Sequence, residues 1–255
     1  MPEHGYRDNR YRNFHHHPSF GTGAVDSRGA KGTDTELKIR RVTMNEVLQK
    51  MHEIGIIPVV VLNDAKDAEP LGKALLDGGL PCAEVTFRTD AAEESIRIMS
   101  EKFPDLLVGA GTVLTTEQVD RAIAAGAKFI VSPGLNPKVV QYCIDKNIPI
   151  TPGVVTPGEI EKAIELGLEV VKFFPAEPSG GLPMINAVGA AYTTMKFMPT
   201  GGISAKNVVD YLKSSKIHAC GGSWMVKGDL ISGGEFEKIK ELCKEAAAIV
   251  KEVRK

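Results

Sequence analysis

Cysteine is scarce in this chain: Cys82, Cys143, Cys220 and Cys243 form no C-x-x-C pair and no spacing of a zinc site or disulfide framework. The N-terminus lacks the apolar core of a signal peptide, and no apolar run approaches the roughly 18 residues needed to cross a bilayer. A cytoplasmic protein under reducing conditions is the expectation. Neither sign of charge is in excess, because 31 Lys and Arg face 32 Asp and Glu for a net charge of −1. Such a balance gives no electrostatic footprint for nucleic acid or an anionic membrane, which leaves a small-molecule partner. A dinucleotide-binding fingerprint is also missing, as is any cluster of metal ligands at the strand ends.

What is present is a core-forming composition, with 43% hydrophobic residues in a chain of 255. Residues 1–42 stand apart, mixing Gly, Arg, His, Asn and Asp without helical or strand period, and read as a disordered tail or an expression artefact. Within it, His15, His16 and His17 are more simply a shortened tag than a metal site. From Thr43 onward (43–255) the pattern becomes regular. Thr43-Met44-Asn45-Glu46 has the form of a capping box and opens a short additional N-terminal helix, after which Ile56 to Val61 reads as a buried strand.

Strand and helix then alternate. Further strands are expected at Cys82–Phe87, Leu106–Ala110, Lys128–Ser132, Pro149–Pro152, Val170–Phe174, Lys196–Pro199 and Ile217–Cys220. Between them, Thr115 with Gln118 and Thr156 with Glu159 mark helix starts, while glycines at 78 and 79, 126 and 167 mark helix ends. Eight such units point to a parallel sheet with helical crossovers, either open and doubly wound or closed. The count, and a turn signal after every strand, favour a closed (β/α)8 TIM barrel, whose reactive groups gather at the C-terminal strand ends.

Lys172 is the anomaly. It interrupts the apolar run Val170-Val171-Lys172-Phe173-Phe174, and a buried ammonium must find a partner or surrender its proton, whereupon the amine is a nucleophile. Strand parity places Val170, Lys172 and Phe174 on one side, and Glu84, Thr86 and, if the strand extends that far, Arg88 on one side of the second strand. If both faces point inward, a carboxylate, a guanidinium and an amine converge. Glu84 could then serve as general acid/base, or merely pair with Lys172 and keep it inert. Thr112 follows Gly109-Ala110-Gly111 at the third strand end, with a hydroxyl suited to a carboxylate. Paired glycines in Thr200-Gly201-Gly202 and Gly221-Gly222-Ser223 expose backbone N–H groups at two neighbouring strand ends, which suits a phosphate.

These motifs, in order, resemble the KDPG/KHG aldolase family: Glu84-Val85-Thr86-Phe87-Arg88-Thr89, Gly109-Ala110-Gly111-Thr112-Val113, Ser132-Pro133-Gly134, Lys172-Phe173-Phe174-Pro175-Ala176-Glu177, Pro199-Thr200-Gly201-Gly202-Ile203 and Gly221-Gly222-Ser223-Trp224. The resemblance implies a class I aldolase, a homotrimer without metal or other cofactor, that releases pyruvate from 2-keto-3-deoxy-6-phosphogluconate. Related substrates would be the phosphogalactonate epimer and 4-hydroxy-2-oxoglutarate. It further implies Lys172 as the Schiff-base lysine and Glu84 as the acid/base. Arg88 and Thr112 would hold the keto-acid carboxylate, Pro133 and Phe174 would line the pyruvyl pocket with Thr200 beside it, and Gly201, Gly202, Gly222 and Ser223 would take the phosphate. Two other readings stay open: a phosphosugar epimerase or isomerase on the same barrel, and a non-enzymatic engineered assembly subunit using its tail for display.

Overall fold

The computed structural model describes residues 46–254. The expected tail, the run of three histidines and the first three residues of the Thr43 capping box lie outside them. Helix α1 spans 46–54, and eight strands follow: β1 (Ile56–Val60), β2 (Cys82–Thr86), β3 (Leu107–Gly111), β4 (Ile130–Ser132), β5 (Ile150–Val154), β6 (Val170–Phe173), β7 (Lys196–Pro199) and β8 (Cys220–Gly222). All pair in parallel in the order β7-β6-β5-β4-β3-β2-β1-β8. Bridges Phe197 to Ile217 and Thr200 to Gly221 join β7 to β8 and close the barrel. The expected TIM barrel is therefore the observed one, and β7 has the bounds read from sequence.

Helices α2 (Ala68–Asp77), α3 (Ala92–Lys102), α4 (Thr116–Ala124), α5 (Pro137–Asp145), α6 (Pro157–Glu165), α7 (Gly181–Ala191), α8 (Val208–Lys213), α9 (Gly228–Ser232) and α10 (Phe236–Val253) complete the alternation. Thr156 caps α6 reciprocally with Glu159, as the spacing required. At α4 the box is altered: Thr115 accepts from the Gln118 amide, but the Gln118 side chain takes the Leu114 amide instead of that of Thr115. Gly79, Gly126 and Gly167 follow helices at φ of 77°, 103° and 79°. L-residues avoid that region, which is why a glycine ends each of those helices.

Strand alternation splits the apolar residues into two packed groups. Ile56, Val60, Ala83, Val85, Val108, Ala110, Val171, Phe173 and Phe197 face outward against the helices. Ile57, Cys82, Leu107, Phe129, Val131, Met198 and Ala219 fill the barrel and meet Met51 of α1. Ile57, Cys82, Leu107, Phe129 and Ala219 lie at or next to the starts of their strands, so α1 plugs the N-terminal end. The interior is tight: a Cβ on Gly109 would fall 2.3 Å from the Phe129 ring. With one end filled by apolar side chains, polar inward positions are left to the other.

Candidate active site

Lys172 sits on β6 with its Cα paired to Gly153 on one side and Met198 on the other. Outward-facing Phe173 packs edge-on against Phe197 at 6.3 Å and anchors the strand, which turns Lys172 inward to 3% exposure. Glu84 enters from β2 on the far side of the barrel, fully buried, and its Oε1 lies 3.5 Å from Lys172 Nζ. They are the buried charged residues among those described. Sequence parity gives each a face of its strand; both faces point inward, and the two side chains meet.

Room for this carboxylate comes from β3. A Cβ at Gly111 would stand 2.4 Å from Glu84 Oε1, so the glycine is a void shaped for the acid. Thr86, also inward by parity, is occupied elsewhere, donating its hydroxyl to the Val60 carbonyl at 3.0 Å. Phe174, just past β6, sets its ring 5.0 Å from Nζ, within the range in which a ring face attracts a cation.

The contact between Lys172 and Glu84 is long. Strong ammonium–carboxylate bonds run at about 2.7–2.9 Å, and each ion of a buried pair loses several kcal/mol of hydration, so a loose pair stabilises the fold poorly. Among the described residues, Glu84 Oε2 has no hydrogen-bond partner, nor do the buried Thr200 Oγ1 and Thr151 Oγ1. Unsatisfied buried oxygens each cost about 1–3 kcal/mol unless a bound molecule or water meets them. All three lie on inward positions in or just past a strand, where a polar substrate atom could meet them.

At the rim the second strand does not extend as far as Arg88. Strand β2 ends at Thr86, the Arg88 amide turns back to the Thr86 carbonyl at 2.8 Å, and Arg88 is exposed instead of continuing the inner face. It still reaches the mouth, because its Nε donates to Thr112 Oγ1 at 3.0 Å. Thr112 is held at φ 56°, a left-handed conformation that a β-branched residue enters at a cost of roughly 1–2 kcal/mol. Strain of this kind persists where the surroundings enforce it, commonly at ligand sites.

Pro133 lies half-buried after β4, its carbonyl so close to β5 that a Cβ on Gly153 would come within 2.0 Å of it. Beyond β7, Gly201 and Gly202 take φ of 99° and 83°. Gly222 is a β8 residue paired with Pro58, and its missing side chain admits the Trp224 ring, while Ser223 is exposed. Gly221 likewise makes room for the Thr200 hydroxyl, 2.3 Å from where its Cβ would be. Two of the glycines read as suiting a phosphate, Gly221 and Gly222, thus have packing reasons as well.

The KDPG and KHG aldolase family model matches residues 47–242. The chain belongs to this family. It is similar to the 2-dehydro-3-deoxy-phosphogluconate aldolase of Haemophilus influenzae, with 48% identity over 209 residues, covering 82% of this chain and 99% of the relative. Among solved structures, the KDPG aldolase of Legionella pneumophila, with pyruvate captured as a covalent carbinolamine, superposes at a TM-score of 0.75 with 38% identity, over 79% of this chain and 96% of that one. The KDPG aldolase of Zymomonas mobilis ZM4 with 3-phosphoglycerate gives 0.74 and 38%, over 81% and 95%.

Seen as a member of the KDPG and KHG aldolase family, the chain brings Lys172, Glu84, Phe174 and Thr200 to one end of the barrel, with Arg88 and Thr112 at its rim. Two features were not read from the sequence. Thr151 pairs with inward-facing Val131 and so faces inward itself, 2% exposed, a hydroxyl in an otherwise apolar run. Its signal was present as a polar residue at strand parity with Gly153. The space that Gly111 leaves for Glu84 had no local signal, because the two belong to different strands. At the opposite, N-terminal end a surface hollow lined by Glu46, Glu53, Glu169, Lys196 and His218 lies away from the buried pair.

Proposed function

We propose that the protein is a class I aldolase that cleaves 2-keto-3-deoxy-6-phosphogluconate to pyruvate and D-glyceraldehyde 3-phosphate through a Schiff base on Lys172. The observation that carries this reading is a buried amine 3.5 Å from a buried carboxylate that has one oxygen free. The Lys172 amine adds to C2 of the keto acid, forming a carbinolamine, and loss of water gives a protonated imine. Glu84 removes the proton of the C4 hydroxyl, the C3–C4 bond breaks, and its electron pair moves into the imine to leave an enamine while the aldehyde departs. Glu84 then returns a proton to C3, and hydrolysis releases pyruvate and the free amine. The imine supplies the electron sink that a neutral ketone lacks. General acid/base help from one positioned carboxylate is worth about 10²- to 10⁴-fold.

Arg88 and Thr112 at the rim suit the substrate carboxylate, since a guanidinium matches it bidentately and would hold C2 toward the amine. Pro133 and Phe174 suit the pyruvyl carbons, with Thr200 beside them. The glycine turns after β7 and β8, with Ser223, suit the phosphate through neutral donors, in keeping with the net charge of −1. A homotrimer, carried by the resemblance, and a cytoplasmic setting complete the reading. Cleavage of 4-hydroxy-2-oxoglutarate or of the phosphogalactonate epimer would use the same chemistry, and comparing kcat/KM among the three substrates ranks them.

Borohydride reduction in the presence of pyruvate tests the proposal. A stable mass increase is expected on the peptide bearing Lys172 and not in Lys172→Arg. An unlabelled wild-type protein would overturn it and favour an epimerase or isomerase.

A further inference from the structure

The turn after β7 is tied down by groups that no step above uses. Three successive carbonyls are engaged: Thr200 O accepts from the Ala176 amide at 2.8 Å, Gly201 O from the Glu177 amide at 3.0 Å, and Gly202 O from Asn207 Nδ2 at 3.0 Å. Asn207 also accepts the Ser204 amide on its Oδ1 at 2.8 Å, which bridges the turn. In a trans peptide the C=O and the following N–H point in opposite directions. Holding those three carbonyls toward the protein therefore turns the N–H groups of Gly201, Gly202 and Ile203 the other way, and none of the three donates to an acceptor among the described residues. Successive outward amides of this kind form an anion-binding nest.

Glu177 is the base of the arrangement. Its Cβ and Cγ occupy the space beside Gly202, where an added Cβ would lie 2.6 and 2.5 Å from them. Its carboxylate accepts a hydrogen bond from the hydroxyl of Tyr211 on α8, a residue only 2% exposed. Burial, reinforced by that carboxylate, pushes the Tyr211 hydroxyl well above its ordinary range, so it stays a donor. The same hydrogen bond fixes the direction of a negative charge that would otherwise be free to swing toward a bound anion.

We propose that Tyr211, Glu177 and Asn207 are positioning residues that preorganise the amides of Gly201, Gly202 and Ile203 for the substrate phosphate. This rests on the proposed aldolase reading and adds Ile203 to the groups facing the phosphate. Phosphate affinity then depends on the Tyr211–Glu177 contact, while chemistry at Lys172 does not.

The test separates two reactions of one protein: cleavage of the phosphorylated substrate, and exchange of pyruvate methyl protons with deuterated water, which involves no phosphate. Tyr211→Phe and Glu177→Ala are expected to raise KM for the phosphorylated substrate about tenfold, leaving kcat and pyruvate exchange within about twofold. Glu177→Gln keeps the stem and an acceptor for Tyr211 and is expected to hold KM near the wild-type value. An unchanged KM, or a parallel fall in exchange and cleavage, overturns the proposal. If Tyr211→Phe does not fold, the contrast between Glu177→Gln and Glu177→Ala decides it by the same criteria. Absence of exchange in the wild-type protein would instead strike the Schiff-base reading itself.

Discussion

Lys172 and Glu84 are 88 residues apart, on strands from opposite sides of the barrel, and their side chains meet at 3.5 Å across its interior. The distance is too long for a strong ion pair and short enough that a molecule bound beside them reaches both groups. The other carboxylate oxygen has no partner among the described residues and is available to a substrate.

Glu84→Gln keeps the shape of the side chain and removes its capacity to take a proton. Turnover is expected to fall by about 10²- to 10⁴-fold, while Lys172 is still labelled by pyruvate and borohydride on long incubation. Steady-state kinetics beside a labelling time course checks both parts. A variant retaining full turnover would remove Glu84 from the mechanism.

Gly111→Ala and Gly109→Ala form a matched pair. The new methyl at 111 meets Glu84 Oε1 at 2.4 Å, whereas at 109 it meets the Phe129 ring at 2.3 Å. Both are expected to destabilise by about 1–3 kcal/mol through overpacking. Only Gly111→Ala should also lower kcat sharply, since it displaces the acid. Thermal unfolding and turnover per folded molecule separate the effects, and equal kcat losses would contradict the assignment.

Thr112→Gly relieves the left-handed strain and deletes the hydroxyl that receives Arg88 Nε. Stability is expected to stay within about 1 kcal/mol of wild type, because the relieved strain offsets the added chain entropy of glycine. KM for the keto acid should rise. Denaturant titration with KM measurement tests this, and an unchanged KM would show that Thr112 does not orient substrate.

His218 gives the fold a pH dependence away from the catalytic end. Burial, with the nearby positive charges of Arg254 and Lys196 and the facing His52 ring acting in the same sense, lowers it to about 4, against the hydrogen bond it gives to the Leu48 carbonyl. A histidine depressed in the folded state makes the unfolded chain the better proton acceptor. Its stabilising contribution is therefore complete above about pH 6.5 and is lost as pH falls toward about 4, by up to about 3 kcal/mol. His218→Gln should flatten the stability difference across that window when unfolding is followed at successive pH values. A wild-type curve parallel to the variant's would refute the assignment.

The barrel was legible because its signals are local. Apolar strands, glycine helix ends and the Thr156 capping box each lie within a few residues, and together they order eight strands. Lys172 announced itself by breaking an apolar run, and Glu84 by parity. The place of Arg88 stayed conditional in the sequence because periodicity does not reveal where a strand stops, and β2 stops at Thr86.

By itself the sequence determined alternation, and hence which residues share a face of each strand, since the two-residue period is a property of the chain. Closure of the barrel decided everything that depends on two strands at once. It set the separation of Lys172 and Glu84, the void at Gly111 that the acid fills, the strained Thr112 beneath Arg88, and the carbonyls that Glu177 and Asn207 tie back at the glycine turn. Distances across a barrel follow from how strands tilt and pack against one another, and no short stretch of sequence carries that information.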